Sequence, residues 1–544
     1  MTTNNLAPTE RSERLAVLSL GISLLVGWVG NLLFFDFLSA NVPTVRLGFL
    51  LFIVALVTGI LVVARLMQIP FRWQVLWLLA PIGFFAGMVA VRAEAPLTSI
   101  NVLLTIGLGG IAVHYLPLKR APHQDSWIEY VYGIAVSGAF AVGGFLVEAT
   151  NLGNALRKFK LRENSQVGAI VRGIVFAIPI FIVFAVLLAS ADTIFSDRLL
   201  QLFGGVNNFG DIAARILTIL MLAWFAFGLM AYGGRNRIVA NPEKLLASEV
   251  EAKPTSKTSS APKNEKPKGV PTLGMIETTI IMGSIIGLFA VFVLIQLTYL
   301  FGEPTNFLQN TTYAQYARRG FFELVAVAVL VIALGRYLHL QTRRQSKNAS
   351  VLFGIEAVIL VGLTLVVLAS AWYRMGLYEA AFGFTHLRLY VYIFMVALAA
   401  LMGFFLLEVL THANTLFSFA LLLTVIGYGI ILNGVGGESF IAERNINRYE
   451  QGTSLDICYL RTFSVDALPQ MLRLLDIARE RGDTDVVDHV SNWLVQQSQY
   501  LASLETNSLV TFNVSNEQAD SLLSTIPTSE KATWLSDRTV YCYG

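Results

Sequence analysis

Four acids and five arginines stand where apolar runs begin or end: Glu323, Glu379, Asp456 and Asp466, with Arg318, Arg319, Arg374, Arg388 and Arg448. Carboxylates held close together can divide acid and base roles between them. Guanidinium groups can grip a phosphate or carboxylate through two parallel hydrogen bonds. Tyr313, Tyr316, Tyr378, Tyr449 and Asn445 lie among them, and Asp192 closes an earlier run in LLASADTIF. Each has a plainer reading beside the chemical one. Arg319 and Glu323 are spaced to pair on one helix face. The tyrosines suit a belt at the membrane–water interface. Ser464 and Asp466, in SVDALPQMLRLL, suit the cap and first turn of a helix.

The familiar signatures of chemistry are missing. There is no GxxxxGK[ST], HExxH or GxSxG, and the six histidines are scattered. No cofactor and no metal is expected, and no catalytic motif marks the chain as an enzyme. The two cysteines, Cys458 and Cys542, form no CxxC pair. A disulfide between them and two separate thiols are both open readings. The net charge of +3 gives no nucleic-acid signal.

What must position these residues is a membrane. Hydrophobic residues make up 55% of the 544 and charged ones 14%, against about 25% charged in a soluble domain. The expected class is all-α: a polytopic membrane protein of about 12 spanning segments with a small helical C-terminal domain. The segments are 15–35, 47–64, 75–91, 98–116, 128–148, 172–191, 212–232, 275–300, 320–340, 350–372, 387–410 and 413–433. The organisation is membrane helices over 1–235, a flexible linker over 236–272, more membrane helices over 273–434, and a helical domain over 435–544. The linker, with KPTSKTSSAPKNEKPKGVPT, has too few large apolar residues to fold on its own, so trimming about fifteen of its residues is expected to leave folding intact. In the last region, DALPQMLRLLDIARERGD and DVVDHVSNWLVQQSQYLASL read as two helices of a hairpin separated at Gly482. Gly283 and Gly287 form a GxxxG suited to close helix packing, and Pro179 reads as a tolerated kink.

Lysines and arginines crowd the linker, the loop with Arg343, Arg344 and Lys347, and RKFKLR at 157–162. The positive-inside rule places these in the cytoplasm and the C-terminal domain outside. If 128–148 crosses the membrane, Arg65, Arg72, Lys119 and Arg120 fall outside; if it is re-entrant, they and the N-terminus fall inside. By the same parity the stretches at 187–195, 312–324, 372–390 and 445–469 share the outer face. One charged pair is expected within the membrane, Arg336 with Glu356, because both lie equally far from the turn near position 345.

Three stretches carry a resemblance: Tyr313 to Leu324; the set Arg374, Tyr378, Gly383, Thr385 and Arg388; and Asn445 to Pro469, N-I-x-R-Y…G…D-x-x-Y-L…S-x-D-A-x-P. Here the chain resembles a bacterial family of polytopic membrane proteins, the domain of unknown function 4173 group with its 4153 relatives. The likeness covers most of residues 170–470. It implies a multi-pass fold and a plasma-membrane location, and no activity. The chain departs from the family near its end, where FNVSNEQADSLL stands in place of a Trp-rich helix.

Three functions fit this frame. One is an envelope-associated protein that anchors and displays its helical domain, its partners being membrane lipids and an envelope protein or lipid ligand. The second is a small-solute transporter or channel, which usually keeps polar groups near the midplane. The third is a membrane enzyme with its site at the outer interface. Most charges lie at helix ends, which favours the first. No oligomeric state follows from the sequence.

Overall fold

The computed structural model describes residues 8–38, 46–69, 73–118, 120–158, 209–235, 273–301, 321–344, 346–413, 415–504, 510–534 and 542. Among them are eleven helices long and apolar enough to cross a membrane, and no β-strand longer than an isolated bridge. The chain divides into two compact units. The expected segment at 172–191 and the linker at 236–272 lie outside the described residues.

The first unit holds α1 (Pro8–Leu38), α2 (Leu47–Leu66), α3 (Trp73–Leu76), α4 (Leu79–Val91), α5 (Ala95–Tyr115), α6 (Trp127–Lys158) and α7 (Phe209–Gly234). α1 runs antiparallel to α2 and α7. Arg11 near its start donates to the Met67 carbonyl after α2 at 3.2 Å, and a Cβ on Gly234 would strike Leu15. At this end stand Arg11, Arg65, Arg120 and Arg235. At the opposite end, residues 510–516 of the C-terminal region dock on the helix starts. The backbone N–H groups of Arg46 and Gly48 donate to the Val510 carbonyl at 3.1 and 3.0 Å. Asn513 Nδ2 donates to the Arg92 carbonyl at 3.1 Å, and the Arg46 guanidinium donates to the Arg92 carbonyl and Thr98 Oγ1.

The second unit holds α8 (Met275–Phe301), α9 (Phe321–Gln341), α10 (Lys347–Phe382), α11 (His386–Thr411) and α12 (Leu416–Val435). After them come α13 (Gly437–Glu450), α14 (Ile457–Leu460), α15 (Leu468–Arg481) and most of α16 (Thr484–Ser503). Ser346 caps α10 by accepting from Ala349 N at 3.1 Å, and Thr385 caps α11. Gly383, with φ +75°, turns the chain between them. α10 continues to Phe382, nearly three turns beyond the expected end at 372. Arg374, Tyr378 and Glu379 therefore sit on helix and not in a loop: WYRMGLYEAAF contains no proline, and its single Gly376 is tolerated within the helix. Helices α17 (Val514–Ser524) and α18 (Thr528–Thr533) complete the described chain.

The expected Arg336–Glu356 pair does not form. Arg336 gives its guanidinium to Glu408 of α11, which is fully buried. The other Glu408 oxygen accepts the Phe417 N–H at 2.6 Å, at the open start of α12. His339 lies 3.5 Å from the same carboxylate, and the Phe417 ring sits 5.4 Å from the guanidinium. Equal depth on a hairpin fixes height but not rotation about the helix axis, and the Glu408 carboxylate accepts a helix-start N–H as well as the arginine. Glu356 is turned toward α8, beside Thr279.

Candidate functional site

The polar cluster of the second unit is built on the Gly383 turn. Left-handed backbone here leaves no room for a side chain: a Cβ on Gly383 would lie 2.5 Å from Asn445 Oδ1 and 2.6 Å from Arg448 Nη1. Into that space α13 delivers both residues from one face, three positions apart. Asn445 reads the Phe384 backbone completely. Its Oδ1 accepts the Phe384 N–H at 2.8 Å, and its Nδ2 donates to the Phe384 carbonyl at 3.0 Å. Arg448 donates to the Ala380 carbonyl at 2.6 Å, one of the unpaired carbonyls at the end of α10. Arg388 donates to the Gly383 carbonyl and lies 4.1 Å from the Tyr378 ring centroid. Glu379 accepts from Tyr392 at 3.2 Å.

A second set of contacts joins the start of α11 to the segment after α13. His386 is held from two directions. Tyr459 Oη accepts the His386 backbone N–H at 2.9 Å and lies 2.9 Å from His386 Nδ1. Glu438 approaches His386 Nε2 at 3.7 Å with one oxygen. Its other oxygen accepts from Ser464, through both the backbone N–H at 2.7 Å and the hydroxyl. Glu438 is buried, and these donors satisfy its oxygens. Asp456 caps α14 by accepting from Tyr459 N at 2.9 Å, which fixes the tyrosine that holds His386.

The remaining sequence candidates fall as follows. Tyr449 is buried among the soluble helices and not in an interfacial belt, its hydroxyl donating to Asp483 Oδ2 at 2.7 Å. Burial, with Asp483 beside it, pushes that phenol up to about 12. Asp466 lies in the short turn Val465–Ala467, capped by Ser464. Glu323 is exposed in the first turn of α9, and Arg374 is half-buried on α10. Asp192, Tyr313, Tyr316, Arg318 and Arg319 lie outside the described residues. The structure thus brings together Tyr378, Glu379, Arg388, Asn445, Arg448 and Asp456, through His386 and Glu438, which sequence reasoning did not pick out, and through Tyr459 and Ser464, which it placed only in the Asn445–Pro469 motif and at a helix cap. His386 does follow the capping Thr385 in FTHLRLY, and Glu438 is the first charge after the last apolar run, so a signal was present for both.

Cys458 and Cys542 form a disulfide. Arg461 stands beside it, 2.9 Å from His489 Nδ1 and 3.7 Å from Cys542 Sγ. Burial lowers the pKa of His489, and Arg461 adds to the effect against Asp485. The two cysteines and His489 could meet at a metal only with the disulfide open, and then Arg461 would place a cation at the same spot. The residues do not suit a metal.

The arrangement is one of mutual satisfaction. Arg388, Arg448 and Asn445 direct hydrogen bonds at backbone groups, which fixes the turn and α13 relative to one another. No curated protein and no solved structure matches the chain. The profile of a domain of unknown function, DUF4153, matches residues 79–474, a range that contains every helix from α4 to α14 and the whole cluster just described. The chain belongs to that family of integral membrane proteins of unknown activity.

Proposed function

We propose that this is an anchoring and interaction protein of a bacterial plasma membrane, which displays its C-terminal helices on the outer face and keeps the 236–272 linker in the cytoplasm. The observation that carries the reading is the two-way pairing of Asn445 with the Phe384 backbone. A side chain that matches both the N–H and the carbonyl of one residue's backbone locks an element in register. Arg388 and Arg448, two of the arginines expected to face an anion, are likewise turned to carbonyl oxygens. The disulfide supports the outer placement, since such bonds persist in oxidising compartments. The partner is then an envelope protein or lipid ligand that meets the displayed helices.

A photoreactive residue at Glu480, exposed on α15, tests this in intact cells. The expected result is one defined adduct with an envelope component, weakened by Asn445→Ala. Solute flux into proteoliposomes well above that of empty vesicles would replace the anchoring reading with transport. A second reading rests on the Tyr459–His386–Glu438 chain, whose order suits proton transfer at an outer-face enzyme site. A hydrolase or transferase activity abolished by both Tyr459→Phe and His386→Gln, with the fold intact, would favour it.

A further inference from the structure

Helix α6 is apolar and long enough to span, yet its contacts with α7 do not progress as those of two spanning neighbours must. Along α6, Phe140 packs on Tyr232 with ring centroids 4.7 Å apart, and the Val142 carbonyl accepts from Trp224 Nε1 at 2.7 Å. Phe145 then meets Trp224 and Phe227, but Glu148 returns to Arg235 at 2.7 Å. Leu152 shares a packed cluster with Phe227 and Ala231. The start of α6 lies at the same level: His114, at the end of α5, bridges Glu129 of α6 and Tyr232 of α7. From Glu129 to Leu152 the helix covers about 34 Å, at roughly 1.5 Å per residue, while its partners on α7 stay within about 16 Å. α6 therefore lies across α7. Gly144 and Gly228 make the crossing: a Cβ on Gly228 would run into the Phe140 carbonyl, and one on Gly144 would lie 2.7 Å from Gly228 Cα.

The two faces of α6 fit this placement. Gly133, Ser137, Gly144 and Glu148 are buried against the unit. The opposite stripe, including Ile128, Val131, Val142 and Leu146, is 56 to 63% exposed. The level of the crossing is the end of the unit where Arg11, Arg65, Arg120 and Arg235 gather, the end opposite to docked residues 510–516.

We propose that α6 does not cross the membrane but lies within one leaflet, at the boundary of headgroups and acyl chains, with its apolar stripe against the acyl chains and the surrounding arginines facing anionic headgroups. The proposal is independent of the anchoring reading. It makes the membrane-crossing helices among the described residues ten and not eleven.

Depth measurements test it on the full-length chain, in vesicles of phosphatidylethanolamine and phosphatidylglycerol. A spin label is placed in turn at Ile128→Cys, Val131→Cys, Val142→Cys and Leu146→Cys, without reductant, so that the disulfide-bonded native cysteines stay unlabelled. Leu51→Cys, Val54→Cys and Val62→Cys on α2 give the pattern of a crossing helix. Power saturation should place all four α6 labels at one shallow depth, about 5–10 Å below the headgroups, while the α2 labels sweep through the hydrocarbon. α6 labels that pass through the bilayer midplane would overturn the proposal. So would labels in contact with water, or held immobile against protein with no contact with oxygen dissolved in lipid.

Discussion

At the residue scale, the second unit concentrates its stakes in Glu408 and Asn445. Glu408 is fully buried with Arg336 and the Phe417 N–H. Removing one partner of such a pair leaves an uncompensated charge, at a cost of about 3–5 kcal/mol, whereas replacing both can be near neutral. Glu408→Met alone should therefore lower the thermal midpoint in detergent sharply, and adding Arg336→Met should restore most of it. A double variant no better than the single would show that the pair is not a unit. His489 makes a pH prediction. Its pKa is lowered by burial, so the folded state binds fewer protons than the unfolded one below the unfolded value near 6.5. The stability it protects is present above that value and lost as pH falls toward the folded pKa. Thermal midpoints taken from about pH 7.5 down to 5 should fall in the native protein, and less steeply in His489→Gln. Parallel slopes would contradict this.

At the scale of elements, the turn between α10 and α11 matters more than its length suggests. Gly383→Ala would both strain a backbone conformation that costs about 1–3 kcal/mol for other residues and push aside Asn445 and Arg448. We expect the variant to loosen α13 while α8 and α9 are unaffected, read as protease cleavage within 437–460. Cleavage no faster than in the native protein would mean that the turn does not hold α13. Much at this scale was legible in the sequence. Hydropathy marked the long helices, and Gly482 with the period of Leu468, Met471 and Leu475 marked α15 and the break before α16. Arg374, Tyr378 and Glu379 looked like loop residues because polarity rises there, although the stretch holds no proline and its lone Gly376 does not stop the helix. The Arg336 partner was missed because a hairpin gives height but not azimuth. The gathering of Arg388, Asn445 and Arg448 was visible as polar residues at helix ends. That they serve backbone carbonyls was not, since unpaired helix-end groups leave no mark in a sequence.

Across the whole molecule, the disulfide ties Cys542 to α14 over 84 residues of sequence. By loop entropy its loss should cost up to about 4–5 kcal/mol. Cys458→Ser should lower the midpoint of the native protein, and added reductant should then have no further effect; a drop of the same size on reducing the variant would place the effect elsewhere. The central claim is that α13 is docked on the α10–α11 turn through Asn445. Hydrogen exchange of the full-length protein in lipid nanodiscs, native against Asn445→Ala, addresses it most directly. Losing both bonds to Phe384 should cost about 1–3 kcal/mol, which near the middle of that range is roughly a thirtyfold rise in exchange. The account predicts that this rise appears together at 380–390 and 437–450, with α8 and α9 unchanged. A rise confined to one of the two segments, or none at either, would show that the domain is not held there and would contradict the account.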